Sequence, residues 1–210
     1  MLDPHANAKI LHAGTPLKEA DSALILIHGR GATAASILDL AAYIGRPGMA
    51  FFAPKAEGNV WYPYSFLEEI GMNEPYLTSA LKCVGRLVAE IAATGMKTEK
   101  LAIGGFSQGA CLTLEYCVRN PSRYGAILGL SGGVIGPPGT KWNETGSLGG
   151  TPAFVGCSDV DFHIPVERVH ESVSVLQALG AVATERIYPG MGHTVNDDEI
   201  RHCREILLAI

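Results

Sequence analysis

Residues 100–120 read KLAIGGFSQGACLTLEYCVRN, which joins a short apolar run, a glycine-rich corner and an apolar segment of helical length. The run Leu101-Ala102-Ile103 suits a strand that is covered on both faces of a sheet. Gly105 and Gly109 flank Ser107, and neither has a Cβ atom that would obstruct a tight turn. The Gly-x-Ser-x-Gly pattern between a strand and a helix therefore predicts a nucleophile elbow, with Ser107 exposed at the carboxyl end of the strand.

A second Gly-x-Ser-x-Gly match occurs at Ser131, in the sequence Gly129-Leu130-Ser131-Gly132-Gly133. This serine also follows an apolar run. The residues after the run read GGVIGPPGT, which contains too many glycines and prolines for a helix. We therefore expect Ser107 to be the nucleophile and Ser131 to be a small residue at a crowded strand end.

The composition is that of a globular protein, and the length of 210 residues predicts one domain that covers residues 1–210. Apolar residues make up 47% of the chain and charged residues 18%, which indicates a large core. A net charge of −5 provides no basic surface for nucleic acid or an anionic membrane. The chain begins without a basic region and apolar stretch, and no apolar run approaches the ~20 residues that span a bilayer. We expect a soluble, cytoplasmic protein without membrane insertion.

The cysteines and histidines indicate neither a disulfide framework nor a metal site. The five cysteines are an odd number without a Cys-x-x-Cys pair, so we expect reduced core residues. The histidines show no His-Glu-x-x-His or similar ligand spacing, so we expect no metal ion and no other cofactor. A homodimer is compatible with the sequence, which does not determine the oligomeric state.

Apolar runs alternate with helical patterns along the chain, which requires a mostly parallel sheet with helices on both faces. The predicted strands cover residues 23–27, 50–53, 101–104, 125–130, 152–156 and 184–188, with an antiparallel edge strand expected at 9–13. The predicted helices cover residues 34–44, 74–94, 165–180 and a last segment that starts near Asn196. No insertion is large enough for a cap domain. The fold class is therefore α/β, with an open site at the carboxyl ends of the strands.

A serine hydroxyl needs a base that takes its proton and an acid that orients the base. His193 is the candidate base, because it follows the last predicted strand in Tyr188-Pro189-Gly190-Met191-Gly192-His193. The loop after the strand at 152–156 contains Asp159 and Asp161, and the spacing leaves both open as the acid. The chain order Ser, Asp, His is that of the α/β-hydrolases.

Two backbone N–H groups are candidates for stabilising an oxyanion. The N–H of Gln108 would point freely from the start of the helix after Ser107. The N–H of Arg30 would come from the loop His28-Gly29-Arg30-Gly31 after the first predicted parallel strand. We expect the Arg30 side chain to be free to meet solvent or substrate, and His28 to be a structural hydrogen-bonding residue.

The segment Asn59-Val60-Trp61-Tyr62-Pro63-Tyr64-Ser65-Phe66 places four aromatic residues at the same end of the sheet. One interpretation is that this aromatic surface binds an apolar acyl or alcohol group, with Trp61, Tyr62 and Phe162 as candidate substrate-binding residues. The other interpretation is that Trp61 and Tyr64 pin an irregular loop onto the domain. The sequence leaves both open.

Five segments in this order, HGRGATAAS, APKAEGNVWYPYSF, GGFSQGA, GCSDVDFHIP and YPGMGH, resemble the phospholipase/carboxylesterase family. This family includes bacterial carboxylesterases and acyl-protein thioesterases. The resemblance implies an uncapped α/β-hydrolase that cleaves carboxylic esters or thioesters without a cofactor. It also implies a triad of Ser107, Asp161 and His193, with the backbone amides of Arg30 and Gln108 as the oxyanion hole.

The resemblance selects Asp161, which lies four residues before Pro165 as in the family's Asp-Pro-x-Val-Pro arrangement. Asp159 does not keep that spacing, and we expect it to cap the turn through its own backbone. Phe162 stands where a proline commonly follows the acid, and HGRGA replaces the HGLGD of the eukaryotic thioesterases. These departures place the chain nearer the bacterial esterase-like members.

The expected activity is the hydrolysis of a small-molecule carboxylic ester through an acyl-enzyme. An acyl thioesterase or a dienelactone-type hydrolase on the same scaffold is the alternative, and the serine at the elbow disfavours the lactone hydrolase. A catalytically silent ligand-binding protein is a further alternative. The complete set of candidate nucleophile, base, acid and oxyanion donors argues against a protein without catalytic activity.

Overall fold

Seven strands form one sheet in the order β1-β3-β2-β4-β5-β6-β7. The computed structural model describes residues 2–142 and 145–210. Six strands are parallel, and β1 pairs with β3 in the antiparallel direction, as expected for the edge strand. The strands are β1 Ile10–Gly14, β2 Ser22–Ile27, β3 Met49–Pro54, β4 Leu101–Phe106, β5 Ala126–Leu130, β6 Pro152–Ser158 and β7 Val182–Tyr188.

Five α-helices in the described residues cover the two faces of the sheet, which confirms the predicted α/β class. They are α1 Ala34–Ile44, α2 Tyr76–Ala92, α3 Gln108–Arg119, α4 Val166–Ala178 and α5 Asp197–Leu208. Helices α2, α3 and α4 bury their apolar residues on one face, and α1 and α5 bury theirs on the other. No separate cap domain is evident in the described residues. No helix there combines the length and apolar character needed to cross a bilayer.

Strands β2 and β4 are neighbours inside the sheet, and both are runs of mainly apolar residues. All six residues of β2 are buried, as are the first five of β4. From this pair the chain builds the sheet in opposite directions, with β3 beside β2 and β5 beside β4. The carboxyl ends of β2 and β4 therefore border a topological switch point, where ligands bind in open parallel sheets.

The last helix fixes the end of the loop that carries His193. Asn196 caps α5 by accepting the N–H of Glu199, and the Glu199 carboxylate accepts the N–H of Asn196 in return. These two hydrogen bonds form a reciprocal capping box at the start of the helix that the sequence predicted near Asn196. The loop from β7 therefore enters α5 in one defined direction.

Candidate active site

Ser107 occupies the sharp corner between β4 and α3, with φ 56° and ψ −123°. A Cβ atom added at Gly109 would lie 2.0 Å from the carbonyl oxygen of Ile27, and one at Gly105 would lie 2.5 Å from that of Gly109. Glycine at both positions is what lets α3 begin directly against β2. The positive φ of Ser107 is unfavourable by about 1–3 kcal/mol, and the packed corner maintains it.

Ser131 also has a positive φ, of 50°, but its surroundings differ from those of Ser107. No helix follows it, and its side chain is completely buried. Its hydroxyl oxygen has no hydrogen-bond partner within the described ranges. Ser131 is therefore the small residue at a crowded strand end that the sequence predicted.

Ser107, His193 and Asp161 come from three loops and form one hydrogen-bonded series. His193 Nε2 lies 2.8 Å from Ser107 Oγ, and His193 Nδ1 lies 2.6 Å from Asp161 Oδ2. Because an ionised carboxylate only accepts hydrogen bonds, Nδ1 carries the proton and Nε2 accepts from the serine hydroxyl. The basic nitrogen therefore faces the proton that leaves when the serine attacks.

Asp161 is ionised in this arrangement although it is largely buried. Burial raises the pKa of its carboxyl group, but the hydrogen bond from His193 and the backbone N–H groups of His163 and Ile164 lower it by more. The two N–H groups lie 2.9 and 3.2 Å from Oδ1, which leaves Oδ2 for the imidazole. The pKa of Asp161 therefore lies below its usual value, and the group holds the histidine tautomer that a general base needs.

Asp159 has a different role from the turn cap that we expected. Its Oδ1 accepts the N–H of Gly190 at 2.8 Å, which ties the acid loop to the loop of His193. The Ser158 hydroxyl takes the expected capping position by accepting the N–H of Val160 at 3.1 Å. The prediction for Asp159 was wrong, because its carboxylate accepts from a residue 31 positions away and the Ser158 hydroxyl caps the turn instead.

Two backbone N–H groups belong to the loops beside Ser107. The N–H groups of Arg30 and Gln108 form no hydrogen bond with residues 2–142 or 145–210. The first turn of α3 directs the N–H of Gln108 outward. Gly29 brings the other loop close, because a Cβ atom added there would lie 3.3 Å from Ser107 Cβ. Both N–H groups are therefore available to a negatively charged oxygen at Ser107.

His28 is a structural residue, as the sequence predicted. It is completely buried, and burial lowers its pKa. Its Nε2 accepts the N–H of Ala56 at 3.2 Å, and its Nδ1 donates to the carbonyl oxygen of Gly29 at 2.8 Å. The imidazole therefore holds the loop that precedes Arg30 and takes no part in the cleft.

The Arg30 side chain is not free, contrary to our expectation. Its Nη1 donates to the carbonyl oxygen of Pro63 at 2.8 Å, and its Nη2 donates to those of Tyr62 and Tyr64 at 2.9 and 2.7 Å. All three acceptors belong to the aromatic segment at residues 59–66, which we call the aromatic loop. The guanidinium therefore fastens this loop instead of offering a charge to the substrate.

The aromatic residues divide between the two interpretations that the sequence left open. Trp61 is completely buried and donates through Nε1 to the carbonyl oxygen of His28, so it pins the loop onto the core. Tyr62 and Tyr64 belong to the lining of the cleft that contains Ser107, but the Tyr62 residue is only 1% exposed whereas Tyr64 is 51% exposed. Phe162 is 82% exposed and packs on His163 at a centroid distance of 4.2 Å, outside the cleft lining. Of the three candidate substrate-binding residues, Tyr62 belongs to the cleft lining, and Trp61 and Phe162 do not.

The cleft has a volume of about 480 Å³ and includes residues that the sequence reasoning missed. Phe106, Cys111, His163 and Ile164 contribute to its walls. Cys111 lies four residues after Ser107 on α3, so helical spacing alone could have identified it. Burial raises the pKa of Cys111 to about 12, so its thiol is neutral and acts as an apolar wall.

The arrangement supplies the parts that acyl transfer needs. The Ser107 hydroxyl is hydrogen-bonded to an imidazole, the imidazole is hydrogen-bonded to a carboxylate, and the N–H groups of Arg30 and Gln108 have no partner in residues 2–142 or 145–210. In the part of the chain that the structure covers, no cluster of histidine, cysteine and acidic side chains could hold a metal ion. The chemistry open to these residues is nucleophilic attack on a carbonyl carbon.

Known proteins with similar sequences and structures are ester and thioester hydrolases. The sequence pattern of the phospholipase/carboxylesterase family matches residues 8–209. Acyl-protein thioesterase 1 of Eremothecium gossypii is 30% identical over 204 residues, covering 84% of this chain and 83% of that protein. Acyl-protein thioesterase 1 of Saccharomyces cerevisiae is 28% identical over 211 residues, covering 90% and 93%.

The crystal structure of a phospholipase/carboxylesterase from Dyadobacter fermentans has a TM-score of 0.92 and 42% sequence identity. The similarity covers 96% of this chain and 97% of that chain. A bacterial protein is thus similar in both sequence and fold over nearly the whole length.

Proposed function

The chain belongs to the phospholipase/carboxylesterase family of α/β-hydrolases, and from this premise we propose that it hydrolyses small apolar esters through an acyl-enzyme on Ser107. The protein is an ester hydrolase. The assignment of catalytic residues is supported by one observation, the hydrogen-bonded series from Ser107 through His193 to Asp161 beside two unpaired amides. We further propose that residues 1–210 act as one domain.

In the first half of the reaction, the Ser107 oxygen attacks the carbonyl carbon while His193 Nε2 takes the hydroxyl proton. The carbonyl π electrons move to its oxygen, which accepts hydrogen bonds from the N–H groups of Arg30 and Gln108. When the tetrahedral intermediate collapses, the bond to the alcohol oxygen breaks and His193 protonates that oxygen. The acyl group stays on the serine.

In the second half, water enters the position that the alcohol has left. His193 takes a proton from the water, and the hydroxide oxygen attacks the acyl carbon. The same two amides hold the oxyanion, and His193 returns the proton to Ser107 as the acid leaves. Throughout, Asp161 stabilises the imidazolium and keeps Nδ1 protonated.

The cleft favours an uncharged substrate. Its walls include Tyr62, Phe66, Phe106 and Ile164, whose surfaces are mainly apolar. The one guanidinium on its lining belongs to Arg30, which donates to three backbone carbonyl groups. An anionic group on the substrate would therefore have to compete with these hydrogen bonds for the only arginine on the described lining.

A thioester is the second candidate substrate, and the similarity to acyl-protein thioesterases favours it. The same serine, histidine and amides serve a thioester, because the attack and the oxyanion are unchanged and a thiol leaves instead of an alcohol. A panel of esters, thioesters and lactones with one shared acyl group separates the two activities by their kcat/KM values.

A fluorophosphonate probe tests the nucleophile independently of the substrate. We expect the wild-type protein and Ser131→Ala to be labelled and Ser107→Ala to remain unlabelled. Hydrolysis of the preferred ester should follow the same order. Labelling of Ser107→Ala, or a folded wild-type protein that is neither labelled nor active on any ester or thioester, would contradict the proposal.

A further inference from the structure

The two residues that offer oxyanion amides also hold the same wall of the cleft through their side chains. Arg30 donates to the carbonyl groups of three consecutive residues, 62–64. Gln108 accepts the N–H of Trp61 on Oε1 at 3.0 Å and donates from Nε2 to the carbonyl oxygen of Tyr62 at 2.8 Å. The Tyr62 carbonyl therefore accepts from both residues, and the wall and the amides form one hydrogen-bonded unit.

The proposed chemistry determines which part of the substrate faces this wall. The leaving oxygen must lie near His193, because this residue protonates it. The rings of Phe106 and His163 flank His193 at 4.9 and 4.8 Å between centroids, so they border the leaving group. The acyl group extends from the same carbon in another direction, and residues 62–64 contribute the cleft lining that adjoins Arg30 and Gln108.

We propose that Arg30 is a positioning residue that determines acyl-group specificity by holding the wall at residues 62–64. This inference rests on the proposed function. A wall that is fixed before binding does not lose conformational entropy when an acyl chain packs on it. An acetyl group is too short to use the wall, whereas a longer acyl chain contacts it. The guanidinium therefore favours longer acyl chains relative to acetate.

The chemistry of arginine matters here. Its planar group presents donors in a fixed fork, which matches three carbonyl oxygens along one bend of the backbone. Lysine keeps the charge but concentrates its donors on one nitrogen, and methionine removes both charge and donors. Arg30→Lys should therefore weaken the hydrogen bonds to residues 62–64 in part, and Arg30→Met should remove them.

The test compares wild-type protein, Arg30→Lys and Arg30→Met on p-nitrophenyl acetate and p-nitrophenyl hexanoate. Arg204→Met is the control, because Arg204 is exposed on α5, away from the cleft. We expect the ratio of kcat/KM for hexanoate over acetate to fall about tenfold in Arg30→Met, mainly through KM, and less in Arg30→Lys. Amide hydrogen exchange should become faster at residues 61–66 in the same order, and the control should match wild type.

Equal losses on both esters, or an unchanged ratio in both Arg30 variants, would overturn the inference, since a residue that only stabilises the fold affects both substrates alike. Unchanged exchange at residues 61–66 would overturn it as well. If wild type and the Arg204 control hydrolyse neither ester nor the matching thioesters, the proposed function fails instead. The exchange measurement still reports in that case whether Arg30 holds the wall. If Arg30→Met does not fold, Arg30→Lys and Arg30→Gln decide.

Discussion

Glu199 carries a carboxyl group into the interior, and this predicts a stability that decreases as the pH rises. The side chain is completely buried, and its Oε1 has no hydrogen-bond partner in residues 2–142 or 145–210. A Cβ atom added at Gly156 would lie 2.2 Å from that oxygen, so the carboxyl group lies directly against β6. Burial raises the pKa of Glu199 from its ordinary 4.5 to about 7.

Between these two pKa values the folded protein retains a proton that the unfolded chain has released. The free energy of unfolding therefore falls as the pH rises from about 4.5 to about 7, and it levels off above that range. The full effect of this group is ~3.4 kcal/mol, of which about 2.5 kcal/mol is lost between pH 5 and pH 8. Glu199→Gln keeps a capping oxygen but does not ionise. The variant should therefore gain about 2.5 kcal/mol relative to wild type over this interval.

Urea unfolding at pH 5 and pH 8 measures this difference. Glu90→Gln on α2 is the matched control, because it makes the same chemical change at an exposed position outside the core. The comparison between variant and wild type removes the contribution of all other titrating groups. If Glu199→Gln differs from wild type by the same amount at both pH values, the carboxyl group ionises alike in the folded and unfolded states, and the reasoning is refuted.

Three further predictions concern the reaction. Ser107→Ala should lower kcat by several orders of magnitude without unfolding the protein, whereas Ser131→Ala should keep most activity; the reverse result would transfer the nucleophile to the second motif. Asp161→Asn should lower kcat by as much as ~10⁴ through the wrong histidine tautomer. Asp159→Asn should mainly weaken the contact to Gly190, by on the order of 1 kcal/mol of stability. If the folded Asp159→Asn variant lost more kcat than Asp161→Asn, the catalytic acid would be Asp159 instead of Asp161. A chelator such as EDTA should leave kcat/KM unchanged, and a loss that added zinc restores would contradict the serine mechanism.

The sequence by itself determined the order of strands and helices, because that information is local. Apolar runs identified β2 and β4 as strands, with β4 expected to be buried on both faces, and the helical spacing of apolar residues identified α2. The elbow at Ser107 was recognisable from a five-residue pattern, although its glycines at 105 and 109 make room for the backbone of the distant strand β2. Pattern and residue type are sufficient where the structural demand lies within a few positions of the chain.

Only the tertiary structure decided where side chains point from the loops. Asp159 and Asp161 lie two residues apart, yet one accepts from the Gly190 amide and the other from the His193 ring. Trp61 is of a residue type common in binding sites, but its indole lies in the core. The Arg30 guanidinium donates to carbonyl groups that are more than 30 residues away in the sequence. A loop side chain bonds to a partner that distant parts of the fold bring within hydrogen-bond distance. Those distances cannot be inferred from the local sequence.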